Sequence, residues 1–410
     1  MKQGWEVKRL DDVCEFRNGL WTGKKPPFQT VGVIRNTNFT KDGRLDDNDI
    51  VYLEVESSQF SKRKLQYGDI ILEKSGGGPK QPVGRVIVFD KEEGDFSFSN
   101  FTSVIRISNK NTVDFNYLHR FLFFSYISGA TETMQSHSTG IRNLKFDDYK
   151  AIQIPLPPLP EQKRIVAILD EAFAAITQAK ANAEQNLKNA KELFESYLQS
   201  VFENKGEGWE ERTLGEVCKV ERGSSPRPID KYFTNEDDGV NWIKIGDTKG
   251  VDRYIYTTKQ KITKEGALKS RLVEVDDFIL SNSMSFGKPY IMKTQGYIHD
   301  GWFVLRLPKD IDTEFFWYLL ASPYTMNQFI SLAAGAIVKN ISGDLVKRTV
   351  LPIPPLKEQQ TIVQKLDALS TETKQLESIY QQKINDLDEL KKSILQKAFA
   401  GELNTTALVV

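Results

Sequence analysis

The chain repeats itself. Trp5-Glu6-Val7, Leu10, Val13-Cys14 and Gly19 recur as Trp209-Glu210-Glu211, Leu214, Val217-Cys218 and Gly223, at a constant shift of 204 residues. Farther on, IPLPPLPEQ at Ile154–Gln162 returns as LPIPPLKEQ at Leu351–Gln359, at a shift of 197. That shift persists through Leu169-Asp170 and Leu366-Asp367, Leu198-Gln199 and Leu395-Gln396, and Phe202 and Phe399. A repeat this long implies two copies of one structural unit rather than a single large core, as a length of 410 residues also suggests.

Within each copy a variable part precedes a regular one. The regular part follows the prolines, which bar helix before them, and is free of Gly and Pro over a long stretch. In the second copy Ile362, Leu366, Leu369, Thr373, Leu376, Tyr380, Lys383, Leu387, Leu390 and Ile394 alternate spacings of four and three, the pattern of a coiled-coil seam. The first copy fills the same register with Ile165, Leu169, Ala172, Ile176, Ala179, Ala183, Asn186, Ala190, Leu193 and Tyr197. Thr373, Lys383 and Asn186 are polar seam positions that either set register or sit at helix edges. Helices of about 40 residues span about 60 Å at 1.5 Å per residue, more than an ordinary domain.

The variable parts are strand-rich. Lys64–Glu73, Gly84–Phe89 and Phe101–Ile107 read as strands before a helix at Phe115–Tyr126; Leu272–Leu280, Pro289–Met292 and Trp302–Leu307 repeat them before a helix at Thr313–Leu320. The aromatic residues of those helices have the spacing of core packing rather than of base-stacking platforms. The expectation is an α+β fold: two pseudo-symmetric, strand-rich heads with helices, separated by two long antiparallel coiled-coil helices. The heads span 1–155 and 206–352, the spacer helices 156–205 and 353–403, and a tail 404–410. Two heads related by an approximate two-fold axis within one chain mimic a DNA-binding homodimer.

Candidate contacts to nucleic acid lie in loops. Lys74, Ser75, Gly76 and Lys80 form one, and Ser283, Ser285 and Lys288 its counterpart, where small polar residues beside Lys suit a phosphate. Neither matches a nucleotide-binding phosphate loop. Lys24 and Lys25 in the first copy, and Arg222 and Arg227 in the second, follow the repeated starts; Arg reads guanine bidentately, while Lys positions the backbone. Arg35 with Asn36, and Lys244 with Asp247, offer donors and acceptors to base edges. Arg142-Asn143 and Lys339-Asn340 are equivalent at the 197 shift and serve either contact or turn formation.

Charge argues against a bare nucleic-acid binder, because Lys+Arg and Asp+Glu each total 55. Neither head nor spacer helix is strongly basic, so part of the affinity would come from partners. The two cysteines are equivalent positions of the repeat and read as small buried hydrophobes, and the three histidines lack metal-ligand spacing. Catalytic signatures of adenine methylation, helicases and nucleases are absent from the sequence; Asp69 and Glu73 before Lys74 fit strand alternation better than a nuclease motif. No apolar run is long enough for a membrane span, and the first residues lack a signal peptide, so a soluble, cytoplasmic protein without membrane contact is expected.

Two variable heads, each followed by a helix begun at PPL-x-EQ, with GDIIL and DDFIL inside the heads, resemble the specificity subunit family of type I restriction-modification enzymes. That resemblance implies a non-catalytic chain whose two target recognition domains each read half of a split site on double-stranded DNA. It also implies docking to two methylation subunits and to restriction/translocase subunits, around Glu161–Leu169 and Glu358–Leu366. S-adenosylmethionine, ATP and Mg would belong to those partners, with no cofactor or metal in this chain. Two other readings are a coiled-coil scaffold with protein-binding heads, and the specificity module of a fused nuclease-methyltransferase.

Overall fold

A computed structural model describes residues 2–20, 25–78, 81–138, 140–282, 287–333 and 342–403. These form two compact units, Met1–Ala183 with Gln382–Val410, and Glu184–Gln381. The two sequence shifts are visible in one strand pair of each. Glu6–Arg9 pairs antiparallel with Gln153–Leu156, placing Arg9 opposite Gln153; Glu210–Thr213 pairs with Val350–Ile353, placing Thr213 opposite Val350. Thr213 matches Arg9 at the first shift and Val350 matches Gln153 at the second. Both copies therefore close by the same register.

In the first unit the central sheet orders Cys14–Asn18, Thr102–Ile107, Ile70–Glu73 and Val86–Val88, all antiparallel. Strand alternation sends Ile70, Leu72 and Ile105 toward the helix Phe115–Ile127 and Ile71, Ile87 and Val104 toward a second sheet carrying Ile34, Phe96 and Phe98. Burial on both faces explains why GDIIL reads as a continuous apolar run. The second unit repeats the arrangement. Phe278, Leu280 and Leu305 face the helix Thr313–Ala321, while Ile279, Val304 and Tyr290 face the other sheet. The aromatic residues of both helices are core, with Tyr117, Phe315, Phe316 and Tyr318 nearly inaccessible.

Gly84–Phe89 contributes only Val86–Val88, and two longer patterns are interrupted. Lys64–Glu73 contributes only Ile70–Glu73, and Leu272–Leu280 divides into Arg271–Val273 and Phe278–Ser281, which lie in different sheets. The same turn interrupts both. The Asp69 carboxylate accepts the Gln66 amide (2.8 Å) and pairs with Arg106 (2.6 Å); Asp277 accepts the Glu274 amide (2.9 Å) and pairs with Arg306 (3.2 Å). These acidic residues end a turn and orient an arginine on the adjacent strand, which accounts for GD and DD before the repeated strands.

The long helices are Leu159–Glu203 and Leu356–Ala400, 45 residues each and coincident at the 197 shift. Each is tied to its unit by the glutamine of PPL-x-EQ. The Gln162 carbonyl accepts the Asp114 amide (2.9 Å), and its Nε2 donates to Thr112 and Pro157 carbonyls; the Gln359 carbonyl accepts the Asp312 amide (2.7 Å), and its Nε2 donates to Pro354. Asp114 and Asp312 in turn cap the aromatic helices through Tyr117 and Phe315 amides. Within the first unit the helix segments run antiparallel: Glu161 pairs with Lys2, which packs beside Gly401, and Lys180 pairs with Asp388 (2.7 Å). In the second, Gly206 lies beside Glu358, while Phe194 and Thr373 line one cavity.

The heptad register holds only in part. Ile165, Leu169, Ile176, Ala183, Ala190, Leu366 and Thr373 are buried as expected. Beyond those positions the buried stripe moves by one residue, to Phe194 and Leu198 rather than Leu193 and Tyr197, and to Lys391 and Leu395 rather than Leu390 and Ile394. Asn186 and Lys383 are exposed and are not seam positions. An α-helix that does not supercoil drifts by about 20° per heptad, so a strict 3.5 repeat loses its face after several turns.

Candidate nucleic-acid interface

In the first unit the structure gathers several predicted residues at one sheet end. Ser75–Gly77 pairs with Ile141–Leu144, so Ser75 faces Asn143 and their side chains hydrogen-bond; Gly77 faces Arg142. Asn36 Nδ2 donates to the Ser75 carbonyl (2.8 Å), and Lys74 Nζ donates to Asn18 Oδ1 (2.7 Å). Burial lowers the Lys74 pKa from its ordinary value. Gly76 has φ +98°, a conformation that disfavours a side chain. Behind this surface, buried Glu73 holds Arg85 (2.7 Å), whose guanidinium also donates to the Asn36 and Phe39 carbonyls. Arg35 pairs with Asp49 (3.1 Å) and Arg142 with Glu132 (2.9 Å). Lys25 is exposed and apart from this network, its amide reaching Glu56. Lys24 and Lys80 lie outside the described residues.

The second unit gathers a different set. A cavity of about 310 Å³ is lined by Arg227, Phe233, Trp242, Lys244, His299 and Asp300, with Ser225 beside them. Trp242 and Trp302 flank the His299 ring, with centroids 6.2 and 6.1 Å away, and burial lowers the His299 pKa. The Ser225 hydroxyl donates to Asp300 (2.8 Å), holding its carboxyl below the usual range, and Arg227 approaches it at 3.4 Å. Arg222 donates to the Asp300 carbonyl (3.2 Å), and Lys244 to Gln260 (2.9 Å). Asp247 has both oxygens on backbone amides, those of Lys244 and Lys259, and closes a turn. Lys288 is exposed and donates to the Val251 carbonyl (3.2 Å). Ser283, Ser285, Lys339 and Asn340 lie outside the described residues.

Both sets meet at a feature the sequence reading missed: the turns Ser99–Phe101 and His299–Gly301. A Cβ on Gly19 would sit 1.8 Å from the Ser99 carbonyl oxygen, and one on Gly223 would sit 2.1 Å from that of His299, so each repeated glycine exists to let a strand end pass this turn. The duplicated glycines were the available signal, but the partner segment is remote in sequence.

The sequence of the Type I restriction modification DNA specificity domain matches twice, over residues 2–188 and 206–386. The chain belongs to this family. Its similarity extends to whole specificity subunits: that of the type I restriction enzyme EcoKI of Escherichia coli K12 is 24% identical, over 98% of this chain and 90% of that one. A chain from a structure describing complex assembly and conformational transition of the type I R-M system covers 98% of this chain and 99% of its own, with TM-score 0.78 and 21% identity. The HsdS subunit from Thermoanaerobacter tengcongensis aligns over 98% of both chains, with TM-score 0.66 and 21% identity. The specificity subunit is thus a non-catalytic member of its enzyme class. Buried Cys14 and Cys218 have their thiols pushed up to about 12, which removes the thiolate a nucleophile needs. Among the described residues no cluster of His, Cys, Asp and Glu could hold a metal ion, and no helix is long and apolar enough to cross a membrane.

Proposed function

We propose that the specificity subunit reads a divided target on double-stranded DNA, one half-site per unit, while docked to two methylation subunits and, in the restricting assembly, to restriction/translocase subunits. The observation that carries this reading is the double occurrence of the specificity domain, each copy with its own turn, glycine approach and polar cluster. The two polar clusters differ in composition, as the readers of two different half-sites must. Adenine methylation, with S-adenosylmethionine, and ATP-driven cleavage with Mg belong in this reading to the partner subunits. The docking surfaces are the outward faces of the helix starts, such as Lys163, Arg164 and Leu356, since Gln162, Ile165, Leu169 and Gln359 are spent inside their own units. Lys74, Arg222, Arg227 and Lys244 neutralise phosphates around the two turns, and exposed Lys25 and Lys288 do so away from them.

Sequencing the methylated bases of cells that carry this chain with its methylation subunits tests the reading. A motif in two parts, methylated on both strands at fixed separation, is expected; a continuous motif overturns it.

A further inference from the structure

Three paired observations place Asn100 and Asp300 at one structural position. Gly19 and Gly223 abut the carbonyls of Ser99 and His299. The Thr102 amide donates to Ser99 (3.0 Å), and the Trp302 amide to His299 (3.1 Å). The Lys74 amide donates to the Phe101 carbonyl (3.0 Å), and the Asn282 amide to that of Gly301 (3.0 Å). The two units thus present the same turn, with an amide at its tip in the first and a carboxylate in the second; the flanking residues differ as well, Ser99 and Phe101 against His299 and Gly301.

The second turn is held from several sides. The Gly301 amide donates to His299 Nδ1 (2.9 Å), and Asn282 Nδ2 (2.9 Å) and Arg222 both donate to the Asp300 carbonyl. The carboxylate, 45% exposed, has Ser225 and, farther off, the His299 ring on one oxygen and a long contact to Arg227, itself 82% exposed, on the other. A rigid backbone carrying a partly open acceptor is organised for readout before DNA arrives.

We infer that Asp300 is a specificity-determining residue that accepts the exocyclic N4 amino group of a cytosine in the half-site read by the second unit. This rests on the divided-target reading. A carboxylate only accepts, so beside the amino group of adenine it would meet the N7 lone pair of the same base, whereas cytosine's own major-groove edge carries no acceptor, the nearest being O6 of its paired guanine. Arg227, relieved of Asp300, is then available to a phosphate. By the same chemistry Asn100, with both donor and acceptor, suits the N6/N7 edge of adenine in the other half-site.

The test compares the methylated motif of the native chain with those of Asp300→Asn and Asn100→Asp, each expressed with its methylation subunits. Asp300→Asn should abolish selection of one C·G pair, a loss of roughly tenfold or more in discrimination, leaving the other half-site and the spacing unchanged. Asn100→Asp should alter one A·T pair in the opposite half-site. Should Asp300→Asn fail to fold, Asp300→Ala makes the same test, since it too removes the acceptor and should lose selection of the same C·G pair. A two-part motif unchanged by the folded variants, or altered at a pair other than C·G by Asp300→Asn, overturns this inference alone. A continuous native motif overturns the reading beneath it.

Discussion

His119 shows what burial does to a single titratable group. Its ring is enclosed against Phe123 and the Val86 carbonyl, and burial lowers its pKa to about 3. Unfolded, the imidazole takes a proton near pH 6.5, whereas the folded protein resists one until about pH 3. The stability this group contributes is therefore complete above pH 6.5 and is lost as pH falls from there. Melting temperatures of the native chain should decline between pH 6.5 and 4.5, and the decline should be shallower for His119→Gln; parallel curves would show that other groups govern it. The same scale explains much of what the sequence made visible. Repeated Gly, Asp and Gln each meet a need set by neighbouring backbone: a close carbonyl, a turn amide, a helix-cap amide. Backbone geometry is common to both copies, so these residues persist while loop residues diverge.

At the scale of elements, the long helices were legible and their faces were not. Pattern and prolines mark two equal helices, but the heptad fit assumed that one seam continues along the whole length. The terminal turns instead pack into the heads, where Phe202 meets Phe315, and Phe399 sits among Tyr117, Phe121 and Phe124. This gives a direct contrast between neighbours. Leu198→Ala, which removes a buried side chain, should cost about 2–5 kcal/mol, whereas Leu193→Ala, 51% exposed, should change stability by no more than about 0.5 kcal/mol in urea unfolding. Equal effects would restore the strict heptad. The two heads also secure their helices differently. Arg120 pairs with Asp170 in the first unit; at its equivalent, Tyr318 donates its hydroxyl to Asp367 (2.6 Å), and Arg253 stacks on the Trp317 and Tyr318 rings (4.1 and 4.7 Å) while approaching Asp367. The aspartates repeat, but the arginine arrives from another strand region, which no spacing rule reveals.

For the molecule as a whole, the notable fact is that the first unit is built from both ends of the chain. Leu395, Ala398 and Phe399 complete a core that begins with Trp5, Leu10 and Ile165. A chain ending at Gln381 should therefore lose hydrogen-exchange protection in Phe115–Ile127 and keep it in Thr313–Ala321, within the second unit. Equal protection of both helices would contradict the discontinuous core. Balanced charge belongs to this scale too: with 55 basic and 55 acidic residues, the proposed attraction to phosphates rests on local clustering rather than on net charge.

The sequence by itself determined the duplication, the two long helices, the strands that are apolar on both faces and the family to which the chain belongs. Periodicity and repeated spacing are local properties, and they survive in one dimension. Only the tertiary structure decided that Ser99–Phe101 and His299–Gly301 occupy the same place, that Asn36, Ser75 and Asn143 join one network, and that each long helix shifts its buried face. Those facts depend on carbonyls, amides and side chains brought together from distant segments. The packing that unites them leaves no spacing to read.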